Sequence, residues 1–518
     1  MSASIPPESS LGYPDRTFTT EVLSCDPNSP VTFTEAAGPS RTSLSAEPFH
    51  KASPLISSPI TQASLITASL HLQEGHLVSF PSETVYGLGA NALSQSASSK
   101  IYAAKKRPAD NPLIVHVSDL EMLSTLLPSF YNISEAYEVL INAFWPGALT
   151  LLFPVDADKP AVPRVVTCGQ KSVAVRMPSH PIARALIATS GLPMAGPSAN
   201  ASGRPSPTTA GHVMRDLGGL LEEQSSAAGK DEPKGRLKYI LDGGPCAVGV
   251  ESTVVDGITA EDEIRVLRPG GVTVEQIREV LNKAGLGEKV KLRVYGKDME
   301  RSAQQESNPT TPGMKYRHYS PTARVVMLLS ARLFGAAVES NTASAKADRT
   351  WGSSSAKVVD SLIKNATTST TTTPQTFASI IQAQMINHLS KRTANTRLNI
   401  GIMMTSDSPL SQLVRSSSRP LTPPSSTDNA HPHLLCPLTL TDLPNVTVHP
   451  FDLGPSARAE AYARRMFDGL RTLDEGPLLH GAEKCELIFV EALDDAGVGL
   501  AVMNRLRKAA SETVVLNC

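Results

Sequence analysis

A chain of 518 residues is too long for one ordinary hydrophobic core, and its 48 Lys and Arg against 49 Asp and Glu exclude a global basic field for binding nucleic acid. The six cysteines, Cys25, Cys168, Cys246, Cys436, Cys485 and Cys518, are scattered without the close pairs of a zinc site or redox dithiol, which fits a reducing compartment. No apolar run reaches the roughly 18 to 20 residues that span a bilayer, and the N-terminus lacks a charged-then-apolar signal layout, so a cytoplasmic protein is expected, with a mitochondrial pool left open.

Residues 1–58 are rich in Ser, Pro and Thr and cannot bury enough apolar surface to offset ordering entropy, so they read as a disordered tail. Residues 59–290 read as an α/β domain. Its short apolar runs LVSF, PLIVHV, LTLLF, SVAVRMP, YILDGG, STVVD and IRVLRPG have strand length and are broken by Gly/Pro turns. Helices are expected over Ala97–Lys106, which precedes a proline, and over Pro181–Thr189, which opens on proline and stops at Gly191. The polar stretch Glu222–Arg236 reads as a surface insertion.

Residues 291–322 form a linker containing the dense motif PGMKYRHYSP, a spacing of aromatic and basic residues that an ordinary tether does not need. In residues 323–518 the runs RVVMLL, NIGIMM, VTVHPF and ELIFVEAL predict buried strands of a smaller α/β domain. Ser456–Arg471 has the period of an amphipathic helix with Ala459, Tyr462, Ala463, Met466 and Leu470 inward. Ser/Thr-rich inserts near 340–374 and 406–432 read as disordered loops, and Arg505, Arg507 and Lys508 of GLAVMNRLRKAA as a solvated helix face.

Four patches of the first domain could carry chemistry. PSETVYGLGANA places the hydroxyls of Ser82 and Thr84 and the phenol of Tyr86 before two glycines, suited to an amino acid's amine and carboxylate or to a structural turn. In KKRPADNPLIVHV, Lys105 and Arg107 at a helix end can hold a triphosphate or simply complement the helix dipole. His116 alone reads as a hydrogen-bonded strand residue. In SVAVRMPSHP, Arg176 interrupts an apolar strand and must meet either a structural carboxylate or a substrate's. GPSANASGRPSPT offers backbone N–H groups for phosphate, and GVESTVVDG with RVLRPG adds Ser252, Thr253 and Arg268. No Walker A, GxGxxG, HExxH or GxSxG sequence accompanies them.

Together these motifs resemble the YrdC-like family, and PGMKYRHYSP with a second α/β domain resembles its two-domain threonylcarbamoyl-AMP synthase branch. The resemblance covers Leu65 to Val280, the linker around Pro312 to Pro321 and the C-terminal pieces FDLG and GVGLAVMNRLRKAA. It implies a twisted mixed sheet with helices, followed by a smaller Rossmann-like α/β domain. It further implies a catalytic tetrad Lys105, Arg107, Ser198 and Asn200 at the ATP phosphates. Asn111, Ser172, Ser206 and Arg268 would also contact ATP, with Tyr316 and His318 of the linker reaching over the nucleotide. Thr84, His116, Arg176, Gly196 and Ser252 would line a threonine pocket. Ser82 stands where Thr is usual, and Gly196 where Ala is common.

The implied reaction makes L-threonylcarbamoyladenylate and pyrophosphate from L-threonine, bicarbonate or CO2 and ATP. The product is then passed to a tRNA threonylcarbamoyltransferase for the modification next to the anticodon. Mg²⁺ would be carried mainly by ATP phosphates, with no protein metal site. An RNA-binding module of the same domain type is the alternative, limited by the charge balance to a weak local RNA contact. An O-carbamoyltransferase would need Cys- and His-rich metal regions that the sequence lacks.

Overall fold

In the computed structural model the described residues are 18–34, 52–218, 235–260, 262–295, 319–330, 381, 398–421, 431–476 and 484–516. They divide into two compact units, residues 18–295 and residues 319–516.

The first unit is built on a mixed sheet of eleven strands. In order across the sheet these are Glu21–Ser24, Tyr239–Asp242, Val78–Phe80, Gly87–Asn91, Met194–Ala195, Ile114–His116, Ser172–Arg176, Leu149–Pro154, Thr253–Asp256, Glu263–Arg268 and Lys291–Val294. The central strands are short and apolar because both faces are covered: Val78–Phe80 and Ile114–His116 are buried throughout. Helix Pro59–Gln73 packs on helix Pro181–Ser190 over one face, joining Leu65, Leu72, Leu186 and Met194 to Val78 and Phe80 in one core.

Local signals set the helix that matters most for the site. Ser94 caps Gln95–Lys105 by accepting the Ala97 N–H, and the helix ends as Lys106 turns left-handed at φ 50°. His180 caps the second expected helix, which runs Pro181–Ser190 and stops at left-handed Gly191. Both helices fall within two residues of their expected bounds.

Parts of the N-terminal tail fold, contrary to expectation. Glu21–Ser24 adds a parallel edge strand to Tyr239–Asp242, fixed further by Thr20 Oγ1 donating to the Leu237 carbonyl at 2.7 Å and Ser64 Oγ to the Ser24 carbonyl at 2.7 Å. Thr32–Thr34 pairs with Ser53–Leu55. At the end of the expected insertion, Arg236 is buried and donates from Nη1 to the Ala104 carbonyl at 2.9 Å.

The second unit carries a seven-stranded sheet. Five parallel strands, Val446–Asp452, Leu398–Met404, Leu487–Glu491, Arg324–Ser330 and Glu512–Leu516, are flanked by the antiparallel edge pair Leu438–Leu440 and Ser418–Pro420. The parallel core is Rossmann-like, with the Leu487–Glu491 strand lying between those that begin at Leu398 and Arg324. Helix Ala459–Glu475 buries Tyr462, Ala463, Met466 and Leu470 as the periodicity requires, with Ala459 half-buried.

Two expectations fail here. Part of the supposed loop near 406–432 is helix Pro409–Ser416, capped by Ser408, and strand Ser418–Pro420. Arg505 is buried on helix Val498–Ala509 rather than solvated, because its position shares a face with Ala501, Val502, Leu506 and Ala509. Tyr319, the last tyrosine of the linker motif, is buried against Phe467 with ring centroids 5.3 Å apart. Asp474 fixes the next residues, accepting from the backbone N–H groups of Thr322 and Ala323 and from the Thr322 hydroxyl.

Among the described residues no helix is long and apolar enough to cross a membrane.

Candidate active site

The helix ending at Lys105 delivers the first group. The Lys105 side chain is buried, and its ammonium donates to the carbonyls of Ser198 and Asn200. That loop is internally braced: Ser198 Oγ donates to Asn200 Oδ1 at 2.5 Å, and Asn200 Nδ2 donates to the carbonyls of Ala201 and Arg204 at 2.9 and 3.0 Å. Asp216 holds its far side, accepting from Ala201 N–H at 3.0 Å and pairing with Arg204 at 3.2 Å. Because Lys106 reverses the chain, Arg107 also turns inward and donates to the carbonyls of Asn111 at 3.0 Å and Pro112 at 2.9 Å. Lys105, Ser198 and Asn200 thus meet at one helix end, while Arg107 turns to the Asn111–Pro112 segment.

Three backbone bonds stitch the Ser82–Tyr86 loop to its surroundings. Tyr86 N–H donates to Pro207, Val248 N–H to Glu83 and Gly249 N–H to Thr84, at 2.8, 2.7 and 3.1 Å. Arg176 reaches this loop from the end of its strand. It donates from Nη2 to Glu83, from Nη1 to Thr84 Oγ1 at 2.9 Å and from Nε to the Gly147 carbonyl at 3.1 Å. Of the two partners weighed for this arginine, a carboxylate of the chain itself is present in the structure.

His116 stands beside Arg176 on the neighbouring parallel strand. Its ring meets Phe80 edge-on at 5.7 Å, and its Nδ1 has no hydrogen-bond partner among the described residues. Burial, with the Arg176 charge adding to it, pushes the imidazole pKa down to about 3, so the ring is neutral at physiological pH. Gly196 borders the same space: a Cβ there would lie 3.1 Å from both His116 Nδ1 and the Phe80 ring.

A third group lies at the carboxyl end of Glu263–Arg268. Arg268 donates from Nε and Nη2 to the Ser252 carbonyl at 3.1 and 2.8 Å, and Ser252 Oγ shares a hydrogen bond with Thr150 Oγ1 at 2.7 Å. Gly270 permits this geometry, because a Cβ there would come within 2.3 Å of the backbone of Glu251, Ser252 and Thr253. Ser206 donates to Glu251 at 2.5 Å.

Ser172 stands apart, at the other end of the Arg176 strand, roughly 13 Å along it at the usual rise per residue. Tyr316 and His318 lie outside the described residues. Sequence reasoning passed over Glu83, Glu251 and Asp216. Of these only Glu83 had an available signal, since a lone arginine in a buried strand calls for a buried acid.

This first unit is an α/β domain of the YrdC type, with buried cations gathered at strand and helix ends, and a second α/β unit follows it. Residues 71–270 match the Sua5/YciO/YrdC family, described as telomere recombination, and residues 272–511 match the family described as threonylcarbamoyl-AMP synthase, C-terminal domain. A threonylcarbamoyl-AMP synthase of Bacillus subtilis is 34% identical over 451 residues, 86% of this chain and 93% of its own length. One from Schizosaccharomyces pombe is 48% identical over 271 residues, 49% of this chain and 60% of its own length. The crystal structure of P. abyssi Sua5 complexed with L-threonine superposes with a TM-score of 0.56 at 32% identity, covering 88% of this chain and 97% of that one. The chain belongs to the threonylcarbamoyl-AMP synthase family.

Proposed function

We infer that the chain condenses L-threonine, bicarbonate or CO2 and ATP into L-threonylcarbamoyladenylate and pyrophosphate. The observation that carries this reading is the buried Lys105 ammonium held by the Ser198–Asn200 loop, in the same unit as the Arg176, Glu83, Thr84 and His116 cluster. A relative of the same family has been crystallised with L-threonine.

The roles follow from the chemistry of each group. Lys105, Arg107 and Arg268 offset phosphate charge, and Ser198, Asn200, Asn111, Ser172 and Ser206 orient the nucleotide by hydrogen bonds. Thr84, His116, Arg176, Gly196 and Ser252 form the threonine pocket. The amine of threonine adds to CO2 with loss of a proton, giving a carbamate. A carbamate oxygen attacks the α-phosphorus, and pyrophosphate leaves. No side chain need act as nucleophile, so rate comes from alignment and charge compensation.

Among the described residues the one group of three His, Cys, Asp or Glu ligand atoms close enough for a metal is His71, Glu74 and His76, at the end of helix Pro59–Gln73. None of these belongs to the site just described. Magnesium would be carried mainly by the ATP phosphates, where it would neutralise charge. The product passes to a tRNA threonylcarbamoyltransferase in the cytoplasm.

The RNA-binding alternative is poorly served by this geometry. Lys105, Arg107, Arg176 and Arg268 are only 1, 4, 3 and 4% exposed, so they suit a small anion that enters a cleft rather than a polynucleotide backbone. Incubation with ATP, threonine and labelled bicarbonate tests the synthase reading. Label should enter an adenylate with matching pyrophosphate, and absence of threonine-dependent label refutes it.

A further inference from the structure

We propose that Glu83 seats the substrate's ammonium group, so that the Glu83–Arg176 pair reads the amino acid as a zwitterion. The proposal rests on the threonine pocket assigned above and adds to it a residue with a defined partner on the substrate.

Glu83 is a carboxylate with only 8% exposure, in a loop whose backbone is clamped by Val248 and Gly249. One oxygen, Oε1, takes the Arg176 guanidinium; the other, Oε2, is buried without a hydrogen-bond partner among the described residues. A buried acceptor left unmet is costly, and it is tolerated where a ligand supplies the missing donor. Burial works to raise the pKa of this carboxyl, but the charge and hydrogen bond of Arg176, helped by the backbone N–H groups of Glu83 and Ser179, outweigh it and hold the group below its ordinary range. The oxygen is therefore an anionic acceptor at neutral pH, suited to a cationic donor.

Arg176 supplies the other half. Of the five N–H bonds of a guanidinium, the structure commits one each on Nε, Nη1 and Nη2, to Gly147, Thr84 and Glu83. One hydrogen on each terminal nitrogen remains for a substrate carboxylate. An α-amino acid carries its ammonium and carboxylate on one carbon, so opposite charges side by side on the protein match opposite charges side by side on the ligand. A neutral His116, with Nδ1 also unmet, stands beside Arg176, and the absence of a side chain at Gly196 keeps its ring uncrowded. A lone arginine would accept any small carboxylate, whereas the pair demands the amine as well.

Calorimetric titration of the full chain, without bicarbonate, compares L-threonine with (R)-3-hydroxybutanoate, which keeps the carboxylate and hydroxyl but lacks the amine. The wild-type chain should bind threonine roughly tenfold to a hundredfold more tightly, the range of one charge-assisted contact. In Glu83→Gln, threonine should weaken to the level of the hydroxy acid, whose own affinity stays within about threefold, since it never used that oxygen. A parallel loss for both ligands, or unchanged threonine binding, overturns the proposal. Should the Gln variant fail to fold by circular dichroism, the wild-type comparison decides, and equal affinity for the two ligands overturns it. Failure of the parent reading looks different: the wild-type chain then binds no threonine, or binds it with this preference and forms no adenylate.

Discussion

Exchanging Lys105 for Met keeps the length and apolar stem of the side chain and removes its three N–H donors. Two consequences can be worked separately. The carbonyls of Ser198 and Asn200 both take the ammonium, so K105M strands one buried and one half-buried acceptor. At about 1 to 3 kcal/mol each, less whatever water recovers, a stability loss of about 2 to 4 kcal/mol is expected. The second consequence is catalytic, since a charged contact to the phosphates of about 1.5 to 3 kcal/mol corresponds to a fall in kcat/KM for ATP of about tenfold to 150-fold. Pyrophosphate release, with threonine and bicarbonate saturating and ATP varied, measures the second effect, and a melting curve measures the first. A variant that melts lower yet turns over at the wild-type rate would refute the phosphate role and leave Lys105 as a strut for the loop.

Two further outcomes test the threonine side. Gly196→Val should raise KM for threonine at least about tenfold while leaving KM for ATP nearly unchanged, because its side chain would enter space next to His116 Nδ1 and the Phe80 ring and overpack it; equal effects on both substrates would relocate Gly196. The depressed pKa of His116, about 3, also fixes a pH dependence. The folded chain resists protonating this ring, whereas the unfolded chain binds the proton near pH 6.5. Its contribution to stability is therefore complete above about 6.5 and is lost as pH falls toward 3, by at most about 1.4 kcal/mol per pH unit. Denaturant unfolding from pH 7 to pH 4 should show a shallower decline in His116→Gln than in the wild-type chain. Identical slopes would remove His116 from the balance.

Strands were the most legible part of the chain, because VSF, IVH and SVAVR are almost wholly buried and so are written as short, mostly apolar runs. The strand Glu21–Ser24 escaped for the opposite reason. It is an edge strand with exposed positions, and its register is set by Tyr239–Asp242, more than two hundred residues away. Arg505 misled because charge outweighed periodicity in the reading, although its spacing from Ala501 and Ala509 already placed it inward. In the site, Lys105, Ser198 and Asn200 stood out as unusual residues at turns, yet only folding shows that the lysine touches the loop through carbonyls. Glu83 was hidden among hydroxyls chosen for their own chemistry; its pairing with Arg176 spans 93 positions and has no local mark.

The left-handed turn at Lys106 separates spacing from identity. Residues 105 and 107 both face inward only because the residue between them reverses direction while its own side chain stays exposed. Position 106 thus contributes a backbone angle and nothing else, and a glycine would adopt that angle without the steric penalty of roughly 1 kcal/mol that an L-residue carries there. Its side chain is open to recolouring during evolution or labelling. The count of residues is not: inserting or removing one at this corner would swing a cation away from the carbonyls it meets.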